Sequence, residues 1–326
     1  MKILHLEEEN YPDTSLSVLQ SMGQIHFANV YTQSDLDNLL LNESFDAVFV
    51  RLGFEFGSKN LHSQSQLQYI VSPTTGLNHL DLSYLDKRDI KVISLKGDLS
   101  ILERVKSTAE HTWSLLMALT RNLRPAIDIT RNFEWKRQGL ECDELNDMTL
   151  GIIGFGRLGM MVAGYGKAFG MKVLVNDCKP EKEKIANQKG FETIALDAIL
   201  SNSDVLILMA DYTPGQKKIL DEPEFEKLKK GSYFINTSRG ELINENALLV
   251  ALKNGNIKAA ALDVLEGDSV WDIGVTKSHP LLAYAHENSN LIITPHIGGY
   301  GKQSIRLTRE HIVNKFREEY LKNQSE

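Results

Sequence analysis

The stretch from Met148 to Asp177, MTLGIIGFGRLGMMVAGYGKAFGMKVLVND, limits what this chain can fold into more than any other. A short apolar run, Leu150 to Ile153, leads into Gly154-Phe155-Gly156-Arg157-Leu158-Gly159. An amphipathic stretch follows to Phe169, and a second apolar run, Lys172 to Asn176, ends at Asp177. The order is strand, glycine turn, helix, strand, acid. Gly154 permits a tight turn out of the strand, Gly156 lets backbone approach a pyrophosphate, and Gly159 lets the helix lie against the strand. The amides of Arg157 and Leu158 then sit at a helix N-terminus, where the dipole and unpaired N–H groups favour a phosphate. A glycine turn alone often serves only packing. Flanked by strand and helix, with an acid 18 residues past Gly159, it reads as a dinucleotide fingerprint.

Asp177 is placed to accept the adenosine ribose hydroxyls. A carboxylate there repels a 2′-phosphate, and Asn176-Asp177-Cys178 offers no Arg to receive one, so NAD is preferred over NADP. Lys179 softens that repulsion. At 326 residues the chain has room for two domains. A net charge of −7 argues against a general nucleic-acid or anionic-membrane binder. Cys142 and Cys178 form neither a CxxC nor a zinc spacing, so no metal site is expected and reduced thiols are. The N-terminus has no apolar core of signal-peptide length, and no run is long enough to span a bilayer. These features together predict a cytoplasmic protein.

The first hundred residues alternate β-rich runs with helical patterns. Strands are expected at Lys2 to Leu6, Ile25 to Ala28, Asp46 to Val50, Gln68 to Val71 and Lys91 to Ser94, with helical spacing at Ser15 to Met22 and Ser34 to Leu41. Alternation of this kind predicts a parallel sheet with helices on both faces. Thr74-Thr75-Gly76-Leu77-Asn78 follows the fourth run; it is an ordinary turn or a loop whose amides hold a carboxylate. Lys96, Arg104 and Lys106 make the next connection basic, which usually marks a solvated face and would otherwise bind a second anionic group. A long helix is expected from Thr108 to Leu123, ended by Pro125. After the fingerprint, runs at Glu192 to Ile194, Asp204 to Met209, Ser232 to Asn236, Lys258 to Leu262 and Asn290 to Thr294 predict a doubly wound sheet. A last helical stretch, Lys302 to Leu321, is expected to return to the first unit.

Three segments place polar residues just past apolar runs of the second unit: Asn236 to Gly240, Asp263 to Asp268 and Thr294 to Gly299. Together they supply a fixed cation, carboxylates and an imidazole. The blocks NTSRGELINENAL, AALDVLEGD and HPLL…NLIITPHIGG, with GFGRLG and STAEHT, resemble the D-isomer-specific 2-hydroxyacid dehydrogenase family in order and spacing. The likeness covers roughly Ile70 to the end. It implies a Rossmann-type doubly wound cofactor domain, residues 103–295, and a smaller flavodoxin-like α/β substrate domain, residues 1–102 and 296–326. It also implies NAD as cofactor and a homodimer built mainly through the cofactor domains.

Carried onto this sequence, the resemblance implies a catalytic arginine at Arg239, a general acid/base at His296, and an acid paired with it at Asp268, where most members have glutamate. It assigns the substrate carboxylate to Thr75 and Gly76, and Asp263 to the nicotinamide carboxamide. Thr108, Met209, Ala210, Thr237, Ser238, His296 and Gly298 join the cofactor contacts, and Lys96 the substrate set. The chemistry of the residues agrees. Oxidation of a 2-hydroxy acid removes a hydride from C2 and a proton from the hydroxyl, so the site needs a nicotinamide and a base. Arg239 can grip a carboxylate while polarising a carbonyl oxygen.

The chain departs from the family in its longer basic segment Lys96 to Lys106, in Met209 and Asp211 where many members have His and Pro, and in lacking a Glu-Pro pair between Asp268 and His279. Substrate identity is therefore not borrowed from other members. The rival readings are an NAD(H)-sensing interaction protein on the same fold and a formate- or phosphite-type dehydrogenase.

Overall fold

The computed structural model describes residues 1–268 and 278–324, and the missing Glu-Pro pair lies outside them. Two compact units emerge. The first holds Met1–Val105, Asp268 and the chain from Tyr300 onward; the second holds Lys106–Gly267 and the described chain up to Gly299. Changeovers fall at Val105/Lys106 and Gly299/Tyr300, a few residues beyond the expected 102/103 and 295/296, and a further one falls at Gly267/Asp268.

In the first unit five strands, β1 (Lys2–His5), β2 (Gln24–Phe27), β3 (Ala47–Phe49), β4 (Tyr69–Ser72) and β5 (Lys91–Ser94), pair in parallel in the order β2-β1-β3-β4-β5. This is the flavodoxin-like order. Successive side chains of a strand point to opposite faces, and the two cores divide accordingly. Leu4, Val48 and Ile70 pack with Leu36, Leu40 and Leu85 of the helices Gln33–Asn42 and Leu82–Lys87. Ile3, Ala47, Phe49, Tyr69 and Val71 pack with Leu19 of Asp13–Met22 and with Ile312, Val313 and Phe316 of the C-terminal helix Lys302–Asn323. Burial on both faces explains why β3 and β4 read as runs of consecutive apolar residues.

The second unit has seven parallel strands: β6 (Thr149–Ile153), β7 (Lys172–Asn176), β8 (Glu192–Thr193), β9 (Val205–Leu208), β10 (Ser232–Asn236), β11 (Ile257–Leu262) and β12 (Leu291–Ile293). Their order is β12-β11-β10-β9-β6-β7-β8, so the winding reverses between β6 and β9. That is the Rossmann arrangement, and its ligand crevice lies beyond the carboxyl ends of the strands at the reversal. The same alternation divides the core. Ile153, Leu206, Leu208, Phe234 and Leu262 face one set of helices, while Leu150, Ile152, Ile207, Ile235 and Ala261 face the helices Ser107–Thr120 and Arg157–Ala168.

One expected helix boundary is corrected. The long helix stops at Thr120, and Asn122 takes a left-handed conformation, φ 49°, that breaks it. Pro125 lies in the first turn of a further helix, Leu123–Arg131, where its missing N–H leaves no bond unmade. Short helices at Leu82–Lys87, Leu196–Asn202 and Pro280–Glu287 escape a periodic reading because two turns carry too few apolar repeats. Among the described residues no helix is long and apolar enough to cross a membrane.

At the carboxyl end of β1 a polar cluster is buried. Arg309 Nη2 donates to Glu7 Oε2 at 2.6 Å, and both side chains are almost wholly enclosed. His5, 1% exposed, stacks on Phe49 and meets the Tyr11 ring edge-on. Its Nε2 has no hydrogen-bond partner among the described residues. Burial and then the Arg309 charge push its pKa down to about 3. The unfolded chain therefore takes up a proton that the folded chain refuses, and stability falls as pH drops from the ordinary imidazole range towards 3, by about 1.4 kcal/mol per pH unit at most for one proton. A His5→Phe variant, which keeps the ring stack, should show a flatter thermal midpoint between pH 6.5 and 4 than the parent. Parallel profiles would assign the acid sensitivity elsewhere.

Candidate functional site

The glycine turn follows β6. Gly154 has φ 98°, and a Cβ there would meet the Met209 carbonyl carbon at 2.6 Å and the Ala210 nitrogen at 2.7 Å. Only glycine lets the turn lie against the end of β9, so Met209 and Ala210 border the fingerprint through their backbone, while the Met209 side chain packs into the core. A Cβ at Gly159 would overlap the Gly154 carbonyl oxygen. At Gly156 a Cβ would meet nothing within 4 Å, which leaves open space in front of the helix that begins at Arg157. No side chain caps that helix start, so the first-turn amides suit a pyrophosphate. Asp177 stands half-buried past β7, its Oδ2 accepting from Phe155 N at 2.6 Å and its Oδ1 from Lys179 N at 2.9 Å. It ties the glycine turn to the strand end where the ribose is expected. These residues fit a dinucleotide.

Past β10 the fully buried Asn236 shapes the next loop, its Oδ1 accepting from Ser238 N at 2.9 Å and its Nδ2 donating to the Arg239 carbonyl at 2.9 Å. Ser238 Oγ donates to the Leu208 carbonyl at 2.7 Å, and Thr237 Oγ1 shares a 2.7 Å hydrogen bond with Thr112. Thr237 and Ser238 are thus occupied in holding the loop, and half-buried Arg239 is carried on a rigid support. Its Nη1 donates to the Ser238 carbonyl at 2.6 Å.

Past β11 and β12 the arrangement centres on Asp263, 1% exposed. Its Oδ1 accepts from Thr294 Oγ1 at 2.5 Å and Ile297 N at 2.9 Å, and its Oδ2 from Gly298 N at 2.7 Å. His111 Nε2 lies 3.2 Å from Oδ1 and 3.0 Å from Thr294 Oγ1. Burial alone would raise the carboxyl's pKa, but the hydrogen bonds from His111, Thr294 and Gly298 hold it below the usual range. Between these contacts sits His296, half-buried, with φ 54° and its N–H donating to the Asp263 carbonyl at 2.9 Å. Thr108 closes the turn from the helix side, 3.3 Å from where a Gly298 Cβ would stand.

The carboxyl edge of the second unit thereby brings together Gly154 to Gly159, Asp177, Met209, Ala210, Thr237 to Arg239, Asp263 and His296 to Gly298. Asp268 is half-buried and groups with the first unit. In that unit Thr75 is exposed past β4, and the Thr74 carbonyl accepts from Leu95 N at 3.1 Å, which sets Lys96 beside that loop. Lys96, Arg104 and Lys106 are all exposed. Reading by strand ends missed His111 and Thr112, because both come from a helix. The STAEHT block was the available signal, and both residues lie inside it.

Residues 113–298 match the model of the D-isomer specific 2-hydroxyacid dehydrogenase NAD binding domain. A D-3-phosphoglycerate dehydrogenase of Bacillus subtilis is 32% identical over 286 residues, 88% of this chain and 51% of that protein. A glyoxylate reductase of Thermococcus kodakarensis is 30% identical over 262 residues, 78% of this chain and 73% of that one. The crystal structure of a D-lactate dehydrogenase from Aquifex aeolicus, complexed with NAD and lactic acid, superposes with a TM-score of 0.78 at 27% identity, covering 98% of this chain and 96% of that one. The chain spans about half the length of the D-3-phosphoglycerate dehydrogenases it matches. Since the domain match takes in the strand ends that carry Arg239, Asp263 and His296, the chain belongs to the D-isomer-specific 2-hydroxyacid dehydrogenase family, and residues 113–298 are its NAD-binding domain.

Proposed function

We propose that the protein transfers a hydride between NAD(H) and a small D-2-hydroxy acid or the corresponding 2-keto acid. The observation that carries this reading is His296, held in left-handed backbone geometry by Asp263 on the same sheet edge as the glycine fingerprint and Arg239. A non-glycine residue at positive φ is uncommon, and one held there by a buried carboxylate's backbone supports a role in the site. Bound nicotinamide supplies the hydride in reduction and receives it in oxidation. Arg239 grips the substrate carboxylate and draws charge onto the carbonyl oxygen, a task its planar fork of donors suits. His296 gives its proton to that oxygen in reduction and takes it back from the hydroxyl in oxidation. The family resemblance assigns the orienting acid to Asp268 and the remaining carboxylate contacts to the amides of Thr75 and Gly76, with Lys96 beside them.

The helix Leu123–Arg131 buries none of its residues, and beyond it Phe133 and Trp135 are 100% and 95% exposed. Apolar surface of this size on one short stretch supports a homodimer in which a second copy covers it. Both cysteines are free and exposed, which suits a reducing, cytoplasmic setting.

Three outcomes follow. An Arg239→Gln variant should lose about a thousandfold in kcat/KM for 2-keto acids, about 4 kcal/mol, while NADH binding followed by fluorescence stays within about threefold. Retained turnover would remove Arg239 from the reaction. Asp177→Ala should weaken NADH by about tenfold or more, as expected for loss of a charged acceptor, and narrow its advantage over NADPH; an unchanged NADH/NADPH ratio would place the ribose elsewhere. Phe133→Ser combined with Trp135→Ser should sediment as a monomer, and a persisting dimer would show that another surface pairs.

A further inference from the structure

We propose that His111, on the helix Ser107–Thr120, is a positioning residue for the reaction: it donates through Nε2 to the Asp263–Thr294 pair and so locks the turn that presents His296. This rests on the hydride-transfer reading above.

The direction of each hydrogen bond follows from the atoms available. Thr294 has one hydroxyl proton, and at 2.5 Å it goes to Asp263 Oδ1. The Thr294 oxygen, 3.0 Å from His111 Nε2, is then the acceptor of that contact, so Nε2 carries a proton. Asp263 Oδ1, at 3.2 Å, shares the same donor. His111 is therefore a second side-chain donor, beside Thr294, that helps leave the carboxylate charged in a buried place while its other acceptor sites hold the turn. Those sites take the N–H groups of Ile297 and Gly298, and the Asp263 carbonyl takes that of His296. The turn needs holding because His296 sits at φ 54°, a conformation that costs a residue with a Cβ about 1 kcal/mol or more. The same helix grips the far side of the turn, Ser107 Oγ donating to the Gly298 carbonyl at 2.7 Å. A Cβ at Gly298 would meet Asp263 Oδ2 at 2.7 Å, so the turn fits its support with no room to spare.

The rival account is that His111 only fills space, and a pair of substitutions separates the two. His111→Leu keeps comparable bulk and removes the donor. His111→Gln restores an N–H donor at similar reach. The full-length protein, labelled at its histidines, gives the His296 imidazole resonance, which a His296→Gln variant assigns. In His111→Leu that resonance should shift and broaden, and kcat for a 2-keto acid should fall at least tenfold with KM within threefold. In His111→Gln the resonance should return to its parental place and kcat to within about threefold. Thermal midpoints recorded alongside establish that both variants fold.

A His296 resonance unmoved in His111→Leu would overturn the proposal, as would a failure of His111→Gln to restore it. The resonance does not depend on turnover. A parent protein that binds NADH but reduces no 2-keto acid would sink the hydride-transfer reading alone, while a shift in Leu and recovery in Gln would still uphold the positioning role.

Discussion

One buried carboxylate organises the carboxyl edge of the second unit's sheet. Asp263 leaves β11 and at once receives two main-chain amides and a hydroxyl from the turn that follows β12, together with an imidazole from the helix Ser107–Thr120. A charge enclosed this fully survives only when its hydrogen-bonding capacity is met. The requirement acts in both directions: the donors keep Asp263 ionised, and Asp263 keeps the donors where they are. His296 holds a left-handed backbone geometry within that arrangement, its N–H bound to the Asp263 carbonyl.

The rest of the second unit supplies the support on which such a turn can be held. Its central strands β6, β9, β10 and β11 are buried on both faces, so their ends cannot shift without disturbing two cores at once. Asn236 and Gly154 show how closely neighbouring ends are fitted. The amide of Asn236 replaces water for two backbone groups of the Arg239 loop, and the missing side chain at Gly154 admits the end of β9. The first unit solves the same packing problem with five strands, and its C-terminal helix contributes Phe316, which meets the rings of Phe49 and Tyr69 edge-on. It also encloses the Glu7–Arg309 pair, a second case of buried charge neutralised by a partner distant in sequence.

Much of the site was legible because strand ends in a parallel sheet converge, so polar residues just past apolar runs are brought together by topology alone. Arg239 and His296 were placed in this way, their roles coming from the family resemblance, and Gly154 to Gly159 with Asp177 came from the fingerprint. Two kinds of feature were not legible. Thr112 and His111 reach the site sideways from a helix, where the 3.6-residue period signals only that a face is buried. The end of the long helix was assigned to Pro125, the obvious breaker, when a left-handed Asn122 does the breaking and the proline starts the next helix. Proline is punctuation at either end of a helix, and only the neighbouring backbone says which.

The sequence by itself determined the two parallel α/β units, the family, the NAD-binding fingerprint and the candidate roles of Arg239 and His296. All of these rest on local rules: alternation of short apolar runs, glycines where a Cβ cannot fit, and blocks of fixed spacing. Only the tertiary structure decided which donors meet at Asp263, that His111 is one of them, and that His296 is held at positive φ. Those contacts join residues 31 to 183 positions apart. A side chain's hydrogen-bond partners at such separations are chosen by how the sheet and its helices pack, which no local period records.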